Sequence, residues 1–290
     1  METEHKNKTT LPVYDSNPFT LAFNSLTKMF NTNVGWAIAI LVLGFFSFIG
    51  QSISNFSSNS YSPSSPSSSQ VQDYTPETLP TPDVSDTNVA AIIAIVLIVL
   101  VVLIVVIVIG TAVSVFIGGM FSYVALQSEK EKSVSFSEAW EATAKRFWRL
   151  LGAQLLAGLK IFGWTLLLIV PGIIAAFRYA LLPYVIMGEA AGTKGVINSH
   201  DSTKALVKGR LMEVFGVATV AGIVPFVGSL LGITGNAALY TQMKAYSDAG
   251  VEKPKIHWLN YLGFILLGAL FAFILFIGIL VAIIAVAANS

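Results

Sequence analysis

The sequence predicts an all-α, polytopic membrane protein with about six or seven transmembrane helices and additional amphipathic helices at the membrane interface. Of its 290 residues, 54% are hydrophobic and only 11% are charged, whereas soluble domains carry about 25% charged residues. The mean hydropathy of +0.73 agrees with this composition. Several uncharged apolar stretches are also long enough to cross a bilayer, because a transmembrane helix needs roughly 20 residues.

Residues 1–33 are expected to form a cytoplasmic N-terminal segment that contains an amphipathic helix. Asn17 followed by Pro18 is typical of a helix start. Apolar residues then recur on one helical face: Phe19, Phe23, Leu26 and Phe30. This pattern predicts a helix that lies on the membrane surface, with a partly frayed tail as the alternative. No signal-peptide pattern precedes it, so the first span is expected to direct insertion.

Residues 34–288 are predicted to form a helical membrane domain that contains one long polar loop. The first span, residues 34–50, is uncharged. Residues 52–87 follow as a stretch rich in Ser and Pro, with four acidic residues and no Lys or Arg. Such a composition cannot bury enough apolar surface to fold, so we expect a disordered loop.

The second apolar stretch, residues 88–128, is uncharged and too long for one crossing. As a single helix it would run about 60 Å, against a hydrocarbon core of roughly 30 Å. Its second half, residues 110–128, is therefore expected to continue into protein or to the cytoplasmic boundary. Small residues recur there at four-residue spacing, which predicts close packing of another helix: Gly110, Ser114, Gly118 and Ser122.

The distribution of basic residues predicts the orientation, because Lys and Arg mark the cytoplasmic side of a membrane protein. They precede the first span and recur within residues 129–149 and 194–210, whereas residues 52–87 have none. Residues 129–149 are also amphipathic, with tryptophans that suit the membrane interface. We therefore expect a cytoplasmic N-terminus and an extracytoplasmic loop.

Two later apolar stretches must then leave the cytoplasmic side and return to it. In residues 150–188, the helix-breaking pair Pro171 and Gly172 is expected to form the outer turn. By the same reasoning, residues 207–243 form a second hairpin, which turns near the helix break at Pro225.

The number of spans depends on this second hairpin. If it crosses twice, a last span at residues 258–288 makes seven, and the C-terminus is extracytoplasmic. If residues 214–238 cross only once, there are six spans and the C-terminus is cytoplasmic. The sequence leaves both counts open.

Three runs of residues resemble a known family. They are Ile-Val-Pro-Gly-Ile-Ile at 169–174, Ala-Leu-Leu-Pro-Tyr-Val-Ile-Met at 180–187 and Asn-Ser-His-Asp-Ser at 198–202. With the order of apolar segments, they resemble the YciC-like bacterial membrane proteins and the related membrane domain of some glycerophosphodiester phosphodiesterases.

The resemblance covers roughly residues 17–245. It implies a bacterial inner-membrane location and a six-helix core, but no established reaction. The last apolar helix is additional to the family pattern. The catalytic barrel of the phosphodiesterases is absent from the sequence, so their hydrolase activity is not implied.

No catalytic, cofactor-binding or metal site is predicted. Hydrolase elbows, zinc-binding helix motifs and phosphate loops do not occur in the sequence. Ser199, His200 and Asp201 are the residue types of a catalytic triad, but neighbours on a helix point about 100° apart. There are three histidines and no cysteine, and a net charge of +1 gives no reason to expect a nucleic-acid partner.

Two cations inside apolar stretches, Lys160 and Arg178, are the candidate ligand contacts. They lie eleven residues before Pro171 and seven after it, or about 16 and 10 Å below the expected turn. A charge in mid-membrane costs at least about 2.5–3.5 kcal/mol, and the nearest acids are Glu189 and Glu213. Snorkelling, a shallow re-entrant hairpin or an ion pair would accommodate them. A cavity that accepts an anionic group, such as a lipid phosphate, is the alternative.

Three classes of function are compatible with these observations. The first is a non-enzymatic inner-membrane protein that organises lipid, such as anionic phospholipid, or a partner membrane protein. The second is a transporter or channel for a small solute or lipid, with its site near Lys160 and Arg178. The third is an intramembrane lipid enzyme, which the scarcity of polar residues at depth disfavours. The sequence names no substrate.

The composition of residues 52–87 generates the first prediction, namely that protease added outside spheroplasts cleaves the chain there. The reason is the absence of Lys and Arg, which places the loop outside, together with a composition that cannot fold. Fragment sizes on a gel check it. Protection from external protease, with cleavage in inverted vesicles, would overturn the whole orientation.

Overall fold

The computed structural model describes residues 11–57, 86–192, 195–224 and 226–288. These residues form ten α-helices and one short 3-10 helix at Trp258–Tyr261, with no β-strand among them, which confirms the all-α prediction. The α-helices are α1 (Pro18–Ser57), α2 (Asp86–Ser128), α3 (Phe136–Ala144), α4 (Phe147–Leu167), α5 (Ile169–Tyr179), α6 (Leu182–Gly188), α7 (Val196–Val207), α8 (Leu211–Ile223), α9 (Gly228–Ala249) and α10 (Leu262–Ala288).

Five helical segments within the described ranges are long and apolar enough to cross a membrane, by length and composition. They are Pro18–Phe46, Val89–Ser128, Phe147–Leu167, Ile169–Gly188 and Trp258–Val281. α8 is apolar but shorter, with 13 residues. α9 is longer but carries more polar residues, and many of its side chains are buried.

The chain divides into two compact units, residues 48–114 in one and residues 1–47 with 115–290 in the other. In the smaller unit, every side chain from Val89 to Gly110 is exposed, and nearly all of them are Ile, Val, Leu or Ala. In the larger unit, the main hydrophobic core joins residues of α6, α7, α8 and α9 to the segment around Tyr14 and Leu21.

The helices on both sides of the loop predicted at residues 52–87 extend into the predicted range. α1 continues as a helix to Ser57, and α2 begins at Asp86. Residues 58–85, which carry the rest of that prediction, lie outside the described ranges, as do Lys194 and Pro225.

α1 starts where the Asn17–Pro18 pair predicts and is kinked at Asn33. The Phe19 N–H donates to Asn17 Oδ1 at 3.0 Å. At Asn33 the backbone leaves the helical region, with φ −139° and ψ 49°. This kink coincides with the boundary expected between the amphipathic segment and the first span.

The amphipathic part of α1 buries the side next to the predicted apolar face, of which Phe19 and Leu26 are half-buried. Phe23 and Phe30 are exposed, whereas Ala22, Ser25 and Met29 are buried against other helices. The Phe face and the buried face therefore lie side by side on the helix. The first turns of α1 are part of the protein core, and the exposed Phe23 and Phe30 are available to another surface.

Asn33 ties the kink of α1 to the end of α2. Its Nδ2 donates to Ser128 Oγ at 2.8 Å and to the Lys132 carbonyl at 2.9 Å. Its Oδ1 accepts from the Val134 N–H at 2.7 Å. Lys28 adds an ion pair to Glu129 at 2.9 Å. These contacts hold a polar layer at one end of the first span.

The turn of the first hairpin lies at Leu168, three residues before the predicted Pro171–Gly172 pair. α4 ends at Leu167, Leu168 is extended (φ −158°, ψ 134°), and α5 begins at Ile169. Pro171 and Gly172 fall in the first turn of α5, where proline is tolerated because its missing N–H needs no helical partner. A Cβ at Gly172 would collide with Thr165, so this glycine permits α4 and α5 to approach closely.

The second hairpin is present and turns between Ile223 and Gly228. Val224 is non-helical, and Phe226 has a positive φ of 64°. A Cβ on Gly228 would collide with the Ala221 carbonyl group, so the two legs approach closely beside the turn. The hairpin therefore turns beside Pro225, as predicted.

The small-residue stripe of α2 is not where another helix of the chain approaches most closely. A Cβ added at Gly110 or Gly118 would meet no described atom within 4 Å. At Gly119, by contrast, it would lie 2.6 Å from Leu150 Cδ2 and 2.9 Å from Thr143 Cγ2. Ser114 is exposed, whereas Ser122 is buried. The packing face of α2 is thus rotated by one residue from the predicted stripe.

Because of this rotation, substitutions at two adjacent glycines should have different effects on stability. Gly119→Leu should destabilise the protein by about 1–3 kcal/mol, because it overpacks the contact with Leu150 and Thr143. Gly118→Leu, in open space, should leave stability nearly unchanged. The measurement is the fraction of monodisperse protein that survives heating in detergent. Equal losses for both variants would show that Gly119 is not the packing position.

Candidate functional site

A cavity of about 350 Å³ opens between α4, α5 and α6, in the first hairpin. This volume is at the lower end of the range for ligand pockets, which is about 300–1,000 Å³. Small side chains from both legs leave the space, and the lining is mostly apolar. The lining residues are Gln154, Ala157, Gly158, Ile161, Ala176, Tyr179, Ala180, Leu182 and Pro183.

A break in the returning leg forms one wall of the cavity. α5 ends at Tyr179, and α6 begins at Leu182 with Pro183 in its first turn. Proline cannot continue a helix from the preceding turn without losing a backbone hydrogen bond. The sequence signal for this break, Pro183, was not among the predicted helix breaks.

Lys160 lies at the edge of this cavity. It is half-buried, and its Nζ is 5.7 Å from the centroid of the Tyr179 ring, within the range of a cation–π contact. Tyr179 itself is buried and lines the cavity. Lys160 is eight residues before the turn at Leu168, so its Cα lies about 12 Å from the tip.

Arg178 lies at a similar depth but is not in the cavity. It is exposed, and it is ten residues after Leu168, about 15 Å from the tip. As a residue in the last turn of α5, it is favoured by the negative end of the helix dipole. Neither cation contributes to the lining of the cavity. The structure thus brings Lys160 to the cavity and leaves Arg178 on the outer surface of the hairpin.

His200 of α7 packs behind Tyr179. The two rings meet edge to face with centroids 4.8 Å apart, and His200 is only 1% exposed. Its Nε2 lies 3.0 Å from the Ala153 carbonyl, which can only accept, so Nε2 carries the hydrogen and donates. Burial lowers the pKa of His200, and the Lys160 charge lowers it further. His200 is therefore neutral.

The neutral His200 leaves one unused acceptor beside the Lys160–Tyr179 pair. Its Nδ1 is buried and has no hydrogen-bond partner in the described part of the chain. Lys160, Tyr179 and His200 form a small polar cluster at the edge of an otherwise apolar cavity. Sequence reasoning identified only Lys160, because the other two come together through packing of α5 on α7.

Glu189 and Glu213, the acids that the sequence offers as ion-pair partners of the two cations, are both engaged by other residues. Glu189 makes an ion pair with Arg149 at 2.5 Å, with both side chains 11% exposed. Glu213 pairs with Arg210 at 3.2 Å and accepts from the Tyr14 hydroxyl at 2.7 Å. The cation–π contact of Lys160, not an ion pair with either acid, is the interaction that the geometry gives it.

The structure separates the three residues of triad type. Ser199 Oγ donates to the Gly195 carbonyl and accepts from Arg149 Nε. Asp201 is exposed and pairs with Lys204. His200 points instead to Ala153. No group of three His, Cys, Asp or Glu residues that could hold a metal occurs in the ranges that the structure describes.

Comparison with known proteins identifies one relationship. Residues 26–224 match a family described as a family of unknown function (DUF7544). The match includes the whole of the first hairpin and every lining residue of the cavity. No curated protein and no solved structure matches the chain.

The buried, neutral His200 predicts a loss of stability in mild acid. The unfolded chain takes up a proton near pH 6.5, the ordinary pKa of histidine, whereas the folded protein resists protonation at His200 until lower pH. Stability is therefore complete above about pH 6.5 and declines as pH falls from there toward the lower pKa of the folded state.

The variant His200→Gln keeps a side-chain donor but cannot titrate, so it should lose less stability than wild type between pH 7.5 and 5.5. Thermal unfolding in detergent, followed by tryptophan fluorescence, measures the difference. Asp201, Lys160 and Lys204 lie near position 200 in both proteins, so their own contributions to the pH dependence cancel in the comparison. Identical pH dependence of the two proteins would contradict the prediction.

Proposed function

The chain belongs to the family of unknown function DUF7544, and for this member of it we propose a non-enzymatic role: it is a multi-pass membrane protein that binds and organises anionic phospholipid. The resemblance to YciC-like proteins supports a bacterial inner membrane as its location. The proposal commits to lipid as the partner and to the first hairpin as the binding site.

The exposed apolar surface supports placement in a membrane. Residues Val89–Gly110 expose every side chain, and α10 is an apolar helix of 27 residues. In water such a continuous apolar surface would lead to aggregation, since soluble monomers expose patches of only a few hundred Å². Helices are also the structure that lipid requires, because they satisfy the backbone hydrogen bonds internally.

The basic residues support a cytoplasmic position for the base of the first hairpin. Lys130, Lys132, Lys145, Arg146 and Arg149 all precede or begin α4. By the rule that Lys and Arg remain inside, α4 enters the membrane from the cytoplasm. The tip at Leu168 then points toward the opposite side.

The half-buried Lys160 at the rim of an apolar cavity is the observation that carries the proposal. Its ammonium lies over Tyr179, which contacts the polar helix α7. A lysine stem can extend its ammonium several ångströms toward headgroups. A phospholipid placed there would put its phosphate at Lys160 and one acyl chain along the small residues of the cavity.

Arg178 extends the site to the outer surface of the hairpin. It lies at a depth similar to that of Lys160, and its guanidinium can bind a phosphate with two parallel hydrogen bonds. A phosphate would also lower the free energy of keeping both cations in an apolar environment. Lipid binding thus gives a common reason for two cations in apolar segments that form no ion pair with an acid among the described residues.

A transporter is the second candidate function. The break between α5 and α6 lies beside the cavity, and interrupted helices with a nearby charge are features of transport sites. Proteoliposomes distinguish the two functions. Uptake or efflux of an anionic solute that requires Lys160 would favour transport, whereas lipid retention without flux favours the organising role.

The lipid proposal predicts that Lys160→Met with Arg178→Met reduces the anionic phospholipid that copurifies with the protein. Native mass spectrometry of bound lipid is the measurement. Lys160→Met alone should account for most of the loss, because only Lys160 adjoins the cavity. The matched control is Lys145→Met with Lys208→Met, which removes the same charge from exposed positions. Unchanged lipid in a folded double variant would refute the site.

A further inference from the structure

The second hairpin, α8–α9, has legs that are too short to cross a bilayer. α8 has 13 residues, about 20 Å, against a hydrocarbon core of roughly 30 Å. α9 is longer, but its polar end begins at Thr241 and carries the exposed ion pair Lys244–Asp248. The uncharged part before it, residues 228–240, includes Ser229, Thr234 and Asn236 and is also about 20 Å long.

Contacts with α1 give a first estimate of the depth of the tip. The Phe226 and Phe45 rings have centroids 5.9 Å apart, and a Cβ at Gly44 would collide with Ser229. Gly44 is eleven residues beyond Asn33, the residue bonded into the polar layer, so the tip lies about 16 Å from that layer. The uncharged stretch predicted as the first span continues in the sequence to Gly50, six residues beyond Gly44.

Contacts with α10 give a second, independent estimate. Gly263, at the start of α10, packs against Phe215, and the Phe264 and Phe215 rings have centroids 4.5 Å apart. The exposed Trp258 just before α10 is typical of a membrane interface. Ile223, the last residue of α8, is only eight residues beyond Phe215, about 12 Å.

The base of the hairpin is held on the cytoplasmic side by a buried polar cluster. The Glu213 carboxylate in the first turn of α8 accepts from Tyr14 of the N-terminal segment and from Arg210. Arg210 also donates to the Lys253 carbonyl at 2.7 Å. Asn260 donates to the Ser16 carbonyl at 2.7 Å. These hydrogen bonds connect the N-terminal segment, the start of α8 and the residues that precede α10.

From these lengths and contacts we infer that α8–α9 is a re-entrant hairpin. It enters the bilayer from the cytoplasmic side, turns near the mid-plane and returns to the same side. Its tip, where Gly222, Ile223 and Phe226 are exposed, contacts the acyl chains of the cytoplasmic leaflet. The hairpin adds no crossing, so the chain crosses five times, through α1, α2, α4, α5–α6 and α10, and its C-terminus is extracytoplasmic.

This inference does not depend on the lipid site at Lys160, which lies on the other hairpin. It also differs from both counts that the sequence permits. Seven crossings would place the α8–α9 tip in extracytoplasmic water. Six would place the C-terminus in the cytoplasm.

The chain contains no cysteine, so single cysteines can be introduced without removing native ones. Ile223→Cys and Gly222→Cys place a thiol at the tip; both positions are exposed, and a Cβ at Gly222 would meet no described atom within 4 Å. Ser133→Cys is the cytoplasmic control, and Ser67→Cys, in the Ser/Pro-rich loop, is the extracytoplasmic control. Elution as a monodisperse peak establishes that each variant is folded.

The first measurement is labelling by a membrane-impermeant maleimide added to either side of the membrane. The second uses a bimane fluorophore attached to the tip cysteine in detergent. After reconstitution into phosphatidylcholine vesicles, the fluorescence is quenched by doxyl groups attached to the lipid either near the headgroup or deep in the acyl chain.

We expect both tip cysteines to resist labelling from either side, while the two control cysteines are labelled from opposite sides. Deep doxyl groups should quench the tip fluorophore several-fold more than shallow ones.

Two results would overturn the inference. Labelling of the tip from the extracytoplasmic side, with stronger quenching by shallow doxyl groups, would show that the hairpin crosses the bilayer. Labelling from the cytoplasmic side without quenching would show that it lies in water. Agreement between the Ile223→Cys and Gly222→Cys variants separates either result from a local disturbance at one position.

Discussion

Buried polar side chains at the ends of the apolar helices must keep their hydrogen-bond and ion-pair partners. This constraint determines where each apolar helix begins or ends. Asn33 satisfies it for α1 and α2, the Arg149–Glu189 pair for α4 and α6, and Glu213 for α8. A buried ion pair or hydrogen bond of this kind is expensive to break, because the remaining partner is left buried and unpaired. Each contact therefore determines the residue at which an apolar segment leaves the polar layer.

The two hairpins differ in the length of their legs and in how those legs are packed. The first has legs of 21 and 20 residues that satisfy the length for a crossing, and its cavity is formed where one leg is broken. The second has short legs, and its core-facing side is packed from the base upward by Val214, Val217 and Val220. The length of the legs and the packing of their side chains, more than hydropathy alone, decide how far each hairpin extends into the bilayer.

Much of the fold can be read from the sequence, because apolar runs, prolines and basic residues act locally. The start of α1 at Pro18 and the turns of both hairpins near prolines were predicted on that basis, and the kink at Asn33 coincides with the predicted start of the first span. The turn at Leu168 was placed three residues too late, because proline in a first helical turn resembles a break when read from sequence. The packing glycine was misassigned by one residue, because four-residue spacing identifies a face but not the neighbour that meets it.

The candidate site was less predictable than the fold. Lys160 and Arg178 look equivalent in sequence, since both are cations in apolar runs. The difference between them arises from Tyr179 and His200, whose rings meet only after α7 folds back against the first hairpin. Contacts between elements that are twenty residues apart leave no periodic signal, so only the three-dimensional arrangement distinguishes the cavity cation from the surface cation.

The length of α10 has a consequence for the kind of bilayer that suits the protein. Its 27 residues would extend about 40 Å as a straight helix, and residues 89–110 of α2 would extend about 33 Å. Hydrocarbon of about 30 Å cannot cover a helix of that length standing upright. The helix must tilt by about 40° or gather thicker lipid around itself, and the energy of this hydrophobic mismatch favours regions where the membrane is thick.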